Sequence, residues 1–255
     1  MKAYVCMKHV PDTAASIKIV GGKQIDETVK YIISPHDEYA IEEAVRLVEK
    51  KGGEVVLVTL AKEAAMATIR TALALGPHRA ILVRIDQTFL DSQDTARILA
   101  KVIADDGPAD IIFAGKQAMD TEGMQTCYRL GAALDMPVVT DVVRFDPAEG
   151  KAMVEREIGG GEKEVIEISF PCVIGATKGL NEPRFPKLPD VMKAKKKDVK
   201  LIDLKSLNLQ LDNSVQVIHL DSVSERSKAK IIGGSTGEAV RELVRILREE
   251  EKVLD

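Results

Sequence analysis

Residues 115–126, Gly115-Lys116-Gln117-Ala118-Met119-Asp120-Thr121-Glu122-Gly123-Met124-Gln125-Thr126, join a predicted strand to a predicted helix. Backbone amides at such a join can face an anion, aided by the helix dipole, without any basic side chain. Asp120, Thr121, Gln125 and Thr126 add hydrogen-bonding groups. Position alone leaves two readings of the segment open, a phosphate-binding turn and an ordinary capped loop. Cys6 and Leu60 lie at the ends of two further predicted strands, and open parallel sheets bind ligands beyond such ends. Ser34-Pro35-His36-Asp37 opens a helix nearby; His36 suits a ligand contact, and capping by Ser34 or Asp37 accounts for the same residues. His9 is open in the same way, between ligand contact and structure. The four histidines, His9, His36, His78 and His219, have no metal-ligand spacing. No metal site and no catalytic residue is expected.

Other chemistries lack their residues. No Gly-x-Gly-x-x-Gly follows the first strand, and there is no P-loop and no Gly-x-Ser-x-Gly elbow. Lys8-His9-Val10-Pro11-Asp12 stands where an ATP-cleaving ligase would need a Ser- and Gly-rich phosphate loop. Gly159-Gly160-Gly161 reads as a hairpin turn, and residues 233–237 as the approach and cap of a helix. The formal net charge of -4 gives no case for nucleic acid. Three scattered cysteines form neither a disulfide framework nor a zinc site. No apolar run nears the ~20 residues that span a bilayer, and the start reads as a strand rather than a signal peptide. A cytoplasmic protein with no membrane insertion is expected.

The elements that position these residues alternate. Strands are predicted at 3–7, 54–60, 79–85 and 110–114, with helices at 38–51, 64–75, 91–105 and 125–134. Residue 54 opens an apolar run, EVVLVTL, that suits a strand buried on both faces. The alternation predicts an α/β, doubly wound, mostly parallel sheet of Rossmann-like type. After Pro137 the pattern changes to short antiparallel or mixed strands at 138–145, 151–158 and 163–168, then a buried strand at 171–176. Residues 199–232 carry scattered strand signals, and 237–254 form an amphipathic helix. The expected division is a domain over 1–190 and a C-terminal arm over 191–255. Between them, Phe185-Pro186-Lys187-Leu188-Pro189 precedes the basic run Lys193, Lys195, Lys196 and Lys197, an apolar anchor with a charged rim.

The pieces CMKHVPDT, SPHDEYAIEEAVRL, IRTALALG, GKQAMDTEGMQT and LNEPRFPKLPDVMKAKKK together resemble the beta subunits of electron transfer flavoproteins over most of the chain. The resemblance implies a heterodimer with a larger alpha subunit, which holds most contacts to a redox-active FAD. It implies a structural AMP in this chain, held by Cys6, Ser34 to Asp37, Leu60 and residues 115–126. It implies electron transfer from flavin dehydrogenases, often acyl-CoA dehydrogenases of fatty acid beta-oxidation, to a quinone-linked oxidoreductase. Leu188 falls at the tip of the family's docking loop, with Lys193 and Lys196 beside it. Ser34 stands where the family commonly has Asn, and Thr13 where some members carry a tyrosine near the flavin. The alternative within the family is an electron-bifurcating branch, in which a second FAD replaces AMP and NADH supplies electrons.

Overall fold

The computed structural model describes residues 1–87, 89–212, 214–222 and 229–254. The chain divides into two compact units, Met1–Leu220 and Asp221–Asp255. The first contains, in order, β1 (Lys2–Cys6), β2 (His9–Pro11), β3 (Ile19–Val20), β4 (Gln24–Ile25), β5 (Tyr31–Ile33), α1 (Pro35–Lys51), β6 (Glu54–Ala61), α2 (Met66–Ala74), β7 (Arg79–Arg84), α3 (Ser92–Asp106), β8 (Ile111–Gly115), α4 (Thr126–Leu134), β9 (Val138–Pro147), β10 (Lys151–Gly159), β11 (Glu162–Ser169), β12 (Cys172–Ala176), α5 (Leu188–Ala194) and β13 (Val199–Asp203). The second holds α6 (Thr236–Arg245), continued by a wider turn over Ile246–Glu250.

Nine strands form one sheet in the order β11-β10-β9-β12-β8-β1-β6-β7-β13. From β9 to β13 along that order the strands run parallel, and β10 and β11 add an antiparallel hairpin at one edge. Successive residues of a strand face opposite sides, so the sheet feeds two cores. Ala3, Val5, Val55 and Leu57 pack with α1 and α2, whereas Tyr4, Cys6, Val56 and Val58 pack with α3 and α4. This is the doubly wound α/β fold that the alternation predicts.

Local chemistry sets the helix ends. Pro35 supplies the pre-set φ of a first helical residue, Asp37 and Glu38 oppose the positive end of α1, and Lys50 and Lys51 the negative end. The Asp91 carboxylate caps α3, accepting from the amides of Gln93 and Asp94.

Two parts differ from the sequence reading. Residues 199–203 form the ninth strand, paired in register with β7, and Leu204, Leu207, Leu209 and Leu211 pack against the α3 face of the core. The compact unit therefore runs past the expected division at residue 190 to Leu220. Residues 9–33 carry two small antiparallel pairs, β2 with β5 and β3 with β4, that no periodicity announced. Strands of two or three residues are too short to show alternation. Among the described residues, no helix is long and apolar enough to cross a membrane.

Candidate functional site

The chain runs β1, β6, β7 outward in one direction and then returns to place β8 on the other side of β1. That reversal is a switch point, where the loops after neighbouring strands part and leave a crevice. A cleft of about 680 Å³ opens there. Cys6, Met7, Val58, Leu60 and Ala114 line it from the strand ends, and residues Lys116, Gln117, Ala118, Asp120, Thr121, Gly123, Met124, Gln125 and Thr126 from the turn after β8.

Asp37 fastens the crevice. It is buried, and its carboxylate oxygens accept from the Lys8 amide at 2.7 Å and the Gly115 amide at 2.8 Å. One side chain on α1 thus ties the end of β1 to the end of β8. Burial raises its pKa to about 7, against the pull of those two amide bonds. Gly115 has to be glycine here: a Cβ would sit 2.6 Å from both Asp37 Oδ1 and His36 Cβ. Lys8 Nζ pairs with Asp120 at 2.7 Å, both residues lining the cleft, and Lys116 Nζ pairs with Asp141 at 2.8 Å.

The turn after β8 suits an anion. Glu122 and Met124 adopt left-handed φ values of 47° and 51°, and the chain then enters α4 with Gln125 at the cap position and no side-chain cap. Its first-turn amides have no acceptor farther back in the helix. No acidic residue occupies that turn.

Of the expected site residues, Cys6, Asp37, Leu60, Gly115, Lys116, Gln117, Ala118, Asp120, Thr121, Gly123, Met124, Gln125 and Thr126 line the cleft. Ser34, Pro35, His36, Met119 and Glu122 are not among its lining residues. Ser34 is fully buried, does not cap α1, and its Oγ has no hydrogen-bond partner; nor does His36 Nδ1. Burial pushes up the thiols of Cys6 and Cys127, the latter to about 12, so neither offers a thiolate at neutral pH.

Sequence reading missed part of the wall. Tyr31 stacks on His9 with ring centroids 4.4 Å apart, His9 Nδ1 bonds Thr68 Oγ1 at 2.9 Å, and Asp91, Ser92 and Thr95 approach from the start of α3. The β2–β5 pairing brings Tyr31 to His9, and that pairing had no signal in the sequence. Asp91 was visible as a helix start but not as part of the cleft wall.

Away from the cleft, Phe185 and Leu188 are 94% and 76% exposed. Lys193, Lys195 and Lys196 are exposed beside them. Lys197 is not part of that rim: its Nζ reaches the carbonyls of Leu73 at 2.9 Å and Pro77 at 2.6 Å, closing the end of α2. A lysine one residue farther along a basic run had met a helix C-terminus, whose free carbonyls it satisfies.

Comparison with known proteins agrees with this architecture. Residues 22–207 match the model of a family described as the electron transfer flavoprotein domain. The chain is 36% identical over 260 residues to electron transfer flavoprotein subunit beta of Bacillus subtilis (strain 168), covering 100% of each chain. It is 37% identical over 255 residues to the protein of that name in Mus musculus, covering 98% of this chain and 97% of the relative. A third, from Syntrophomonas wolfei, is 41% identical over 200 residues, 78% of each.

Proposed function

The chain belongs to the electron transfer flavoprotein family, as a beta subunit, and from that membership we propose that it is the small half of a heterodimeric electron carrier with AMP in the switch-point cleft. In this reading the alpha subunit provides most contacts to FAD, and FAD supplies the one-electron chemistry when bound. This chain breaks no substrate bond. It holds AMP as a structural ligand and completes the assembly.

The carrying observation is the uncapped start of α4 opening onto an apolar-floored cleft. A phosphate there meets first-turn amides and the positive end of the helix dipole. The adenine then lies against Cys6 and the backbone near Leu60. A ligand that binds the folded chain alone stabilises it by mass action. The exposed Phe185 and Leu188 dock an electron donor, a flavin dehydrogenase such as an acyl-CoA dehydrogenase, while Lys193 and Lys196 raise the association rate in a salt-dependent way. A quinone-linked oxidoreductase takes the electrons onward.

The size of the cleft favours one competing reading. About 680 Å³, with walls reaching Ile25, Val29, Tyr31 and Phe89, leaves room beyond a mononucleotide, as a second FAD fed by NADH would need. Denaturing the purified heterodimer and separating the released nucleotides decides between them. One FAD and one AMP are expected. Two FADs and no AMP would move the chain to the second reading.

A further inference from the structure

An exposed apolar loop recognises a partner well only if its shape is set beforehand, because ordering it at contact costs affinity. The segment carrying Phe185 and Leu188 is fastened at both ends. On entry, Asn181 Nδ2 donates to the Tyr39 carbonyl at 3.0 Å and to Glu43 Oε2 at 2.9 Å. Arg184 then spans two turns of α1. Its Nε donates to Glu42 Oε2 at 2.8 Å, while Nη1 and Nη2 take the two oxygens of Glu49 at 2.7 and 3.0 Å. Nη2 also reaches Glu42 Oε1, and the Arg184 amide donates to Glu42 Oε2, both at 3.2 Å. Glu42 is only 3% exposed. Burial by itself would push its carboxyl up, yet the bonds from Arg184 and Arg46 hold it below the ordinary range. On exit, Arg70 Nη1 donates to the carbonyl of Ala194 at 2.9 Å, and Lys197 closes α2. Between these anchors Ala194 is the one buried residue of α5.

We infer that the Arg184–Glu42–Glu49 cluster is a clamp that sets the conformation of the apolar loop for docking, which makes Arg184 a positioning residue for partner recognition. The inference rests on the docking role proposed above. None of the three side chains lines the cleft, so the clamp acts on the loop and not on the nucleotide. Two carboxylates seven residues apart on one helix face need a planar fork to bridge them, which an ammonium does not supply.

The test uses the intact heterodimer with Arg184→Met and, as a milder change at a half-exposed partner, Glu49→Gln. Hydrogen exchange of residues 185–193 is followed without any partner. Exchange should rise tenfold or more with Arg184→Met and less with Glu49→Gln, while β1 and β8 stay protected. With an acyl-CoA dehydrogenase reduced by its own substrate as electron donor, the KM for the heterodimer should rise several-fold at unchanged kcat, and Arg184→Lys should recover only part of it. Unaltered loop exchange in Arg184→Met would overturn the clamp. A loosened loop with unaltered KM would overturn its positioning role. Leu188→Ala separates the two ideas: if it leaves KM untouched, the docking reading fails, and the exchange result still decides the clamp.

Discussion

At Asp37 two forces oppose each other within a few ångströms. Burial favours the neutral acid, while the Lys8 and Gly115 amides favour the carboxylate, and the balance puts titration at about 7. Its neighbours include Lys8 and Asp120 as charged groups and the neutral thiols of Cys6 and Cys127. Because the folded pKa lies above the ordinary carboxyl value of 3.8, the unfolded chain gives up this proton first as pH rises. The contribution of Asp37 to stability is therefore full below about pH 4 and is lost as pH rises to about 7, at up to about 1.4 kcal/mol per pH unit. Asp37→Asn has no such slope. The advantage of wild type over the variant should shrink between pH 5 and 7.5 and then stay level, read from urea midpoints at fixed protein concentration. A difference that does not change with pH would show that Asp37 keeps its charge throughout. Gly115 makes a steric prediction at the same spot. Gly115→Ala pushes a methyl against Asp37 Oδ1 and His36 Cβ at 2.6 Å. It should cost about 1–3 kcal/mol and lower the nucleotide content of the purified heterodimer.

At the opposite ends of the strands, elements rather than single residues are joined. Arg79 on β7 bridges Glu54 of β6 at 2.9 Å and Asp106 of α3 at 2.6 Å, and Tyr4 and Lys2 of β1 also donate to Asp106. Burial opposes the ionised form of Asp106, yet its bonds to Arg79, Lys2 and Tyr4 hold its pKa well below the usual carboxylate range. That stability is present above the unfolded carboxyl's pKa and is lost as pH falls through the folded one. Arg79→Met should cost about 2–3 kcal/mol at pH 7, short of a fully buried pair because Arg79 is 20% exposed. The gap to wild type should narrow below pH 4; a constant gap would mean that packing, not charge, was lost. Elements of this length were legible in the sequence. Residues 55–58 are apolar throughout because both faces of β6 are covered, and the helices at 38–51 and 91–105 carry their apolar residues on one face. β13 was not legible as part of the sheet, since this edge strand mixes Lys200 and Asp203 with apolar residues and leaves Lys200, Leu201 and Asp203 exposed without a regular alternation. Within the site, the turn over 115–126 was legible because it lies where a strand passes into a helix. The bridge from Asp37 to two strand ends was not, because it depends on how α1 crosses the sheet. The Lys8–Asp120 pair was hidden for the same reason, its members being far apart in sequence.

Considered as a whole, the chain joins a unit with two buried cores to one whose described residues are all at least partly exposed. All strands of the nine-stranded sheet, and the residues of both cores, lie before Leu220. Among its described residues, the unit Asp221–Asp255 has no buried side chain. In it, Ser235 and Glu238 form reciprocal bonds at the start of α6, with the Ser235 amide donating to Glu238 Oε2 at 2.9 Å, yet no residue of α6 is buried. Val240, Leu243 and Val244 are exposed along one stripe at 54%, 46% and 38%. A helix of this length is marginal in water by itself, and an amphipathic one gains its stability by burying its stripe. In the proposed heterodimer the alpha subunit provides that surface. A chain ending at Leu220 should then keep its far-ultraviolet circular dichroism and a cooperative thermal transition. Co-expressed with the alpha subunit, it should give little stable heterodimer and little bound FAD. The full chain expressed alone should likewise carry little flavin, because in the proposed heterodimer the alpha subunit provides most flavin contacts. Recovery of a heterodimer with one FAD from the truncated chain would show that the unit after Leu220 is dispensable for assembly. Unfolding of the truncated chain would show instead that this unit stabilises the sheet.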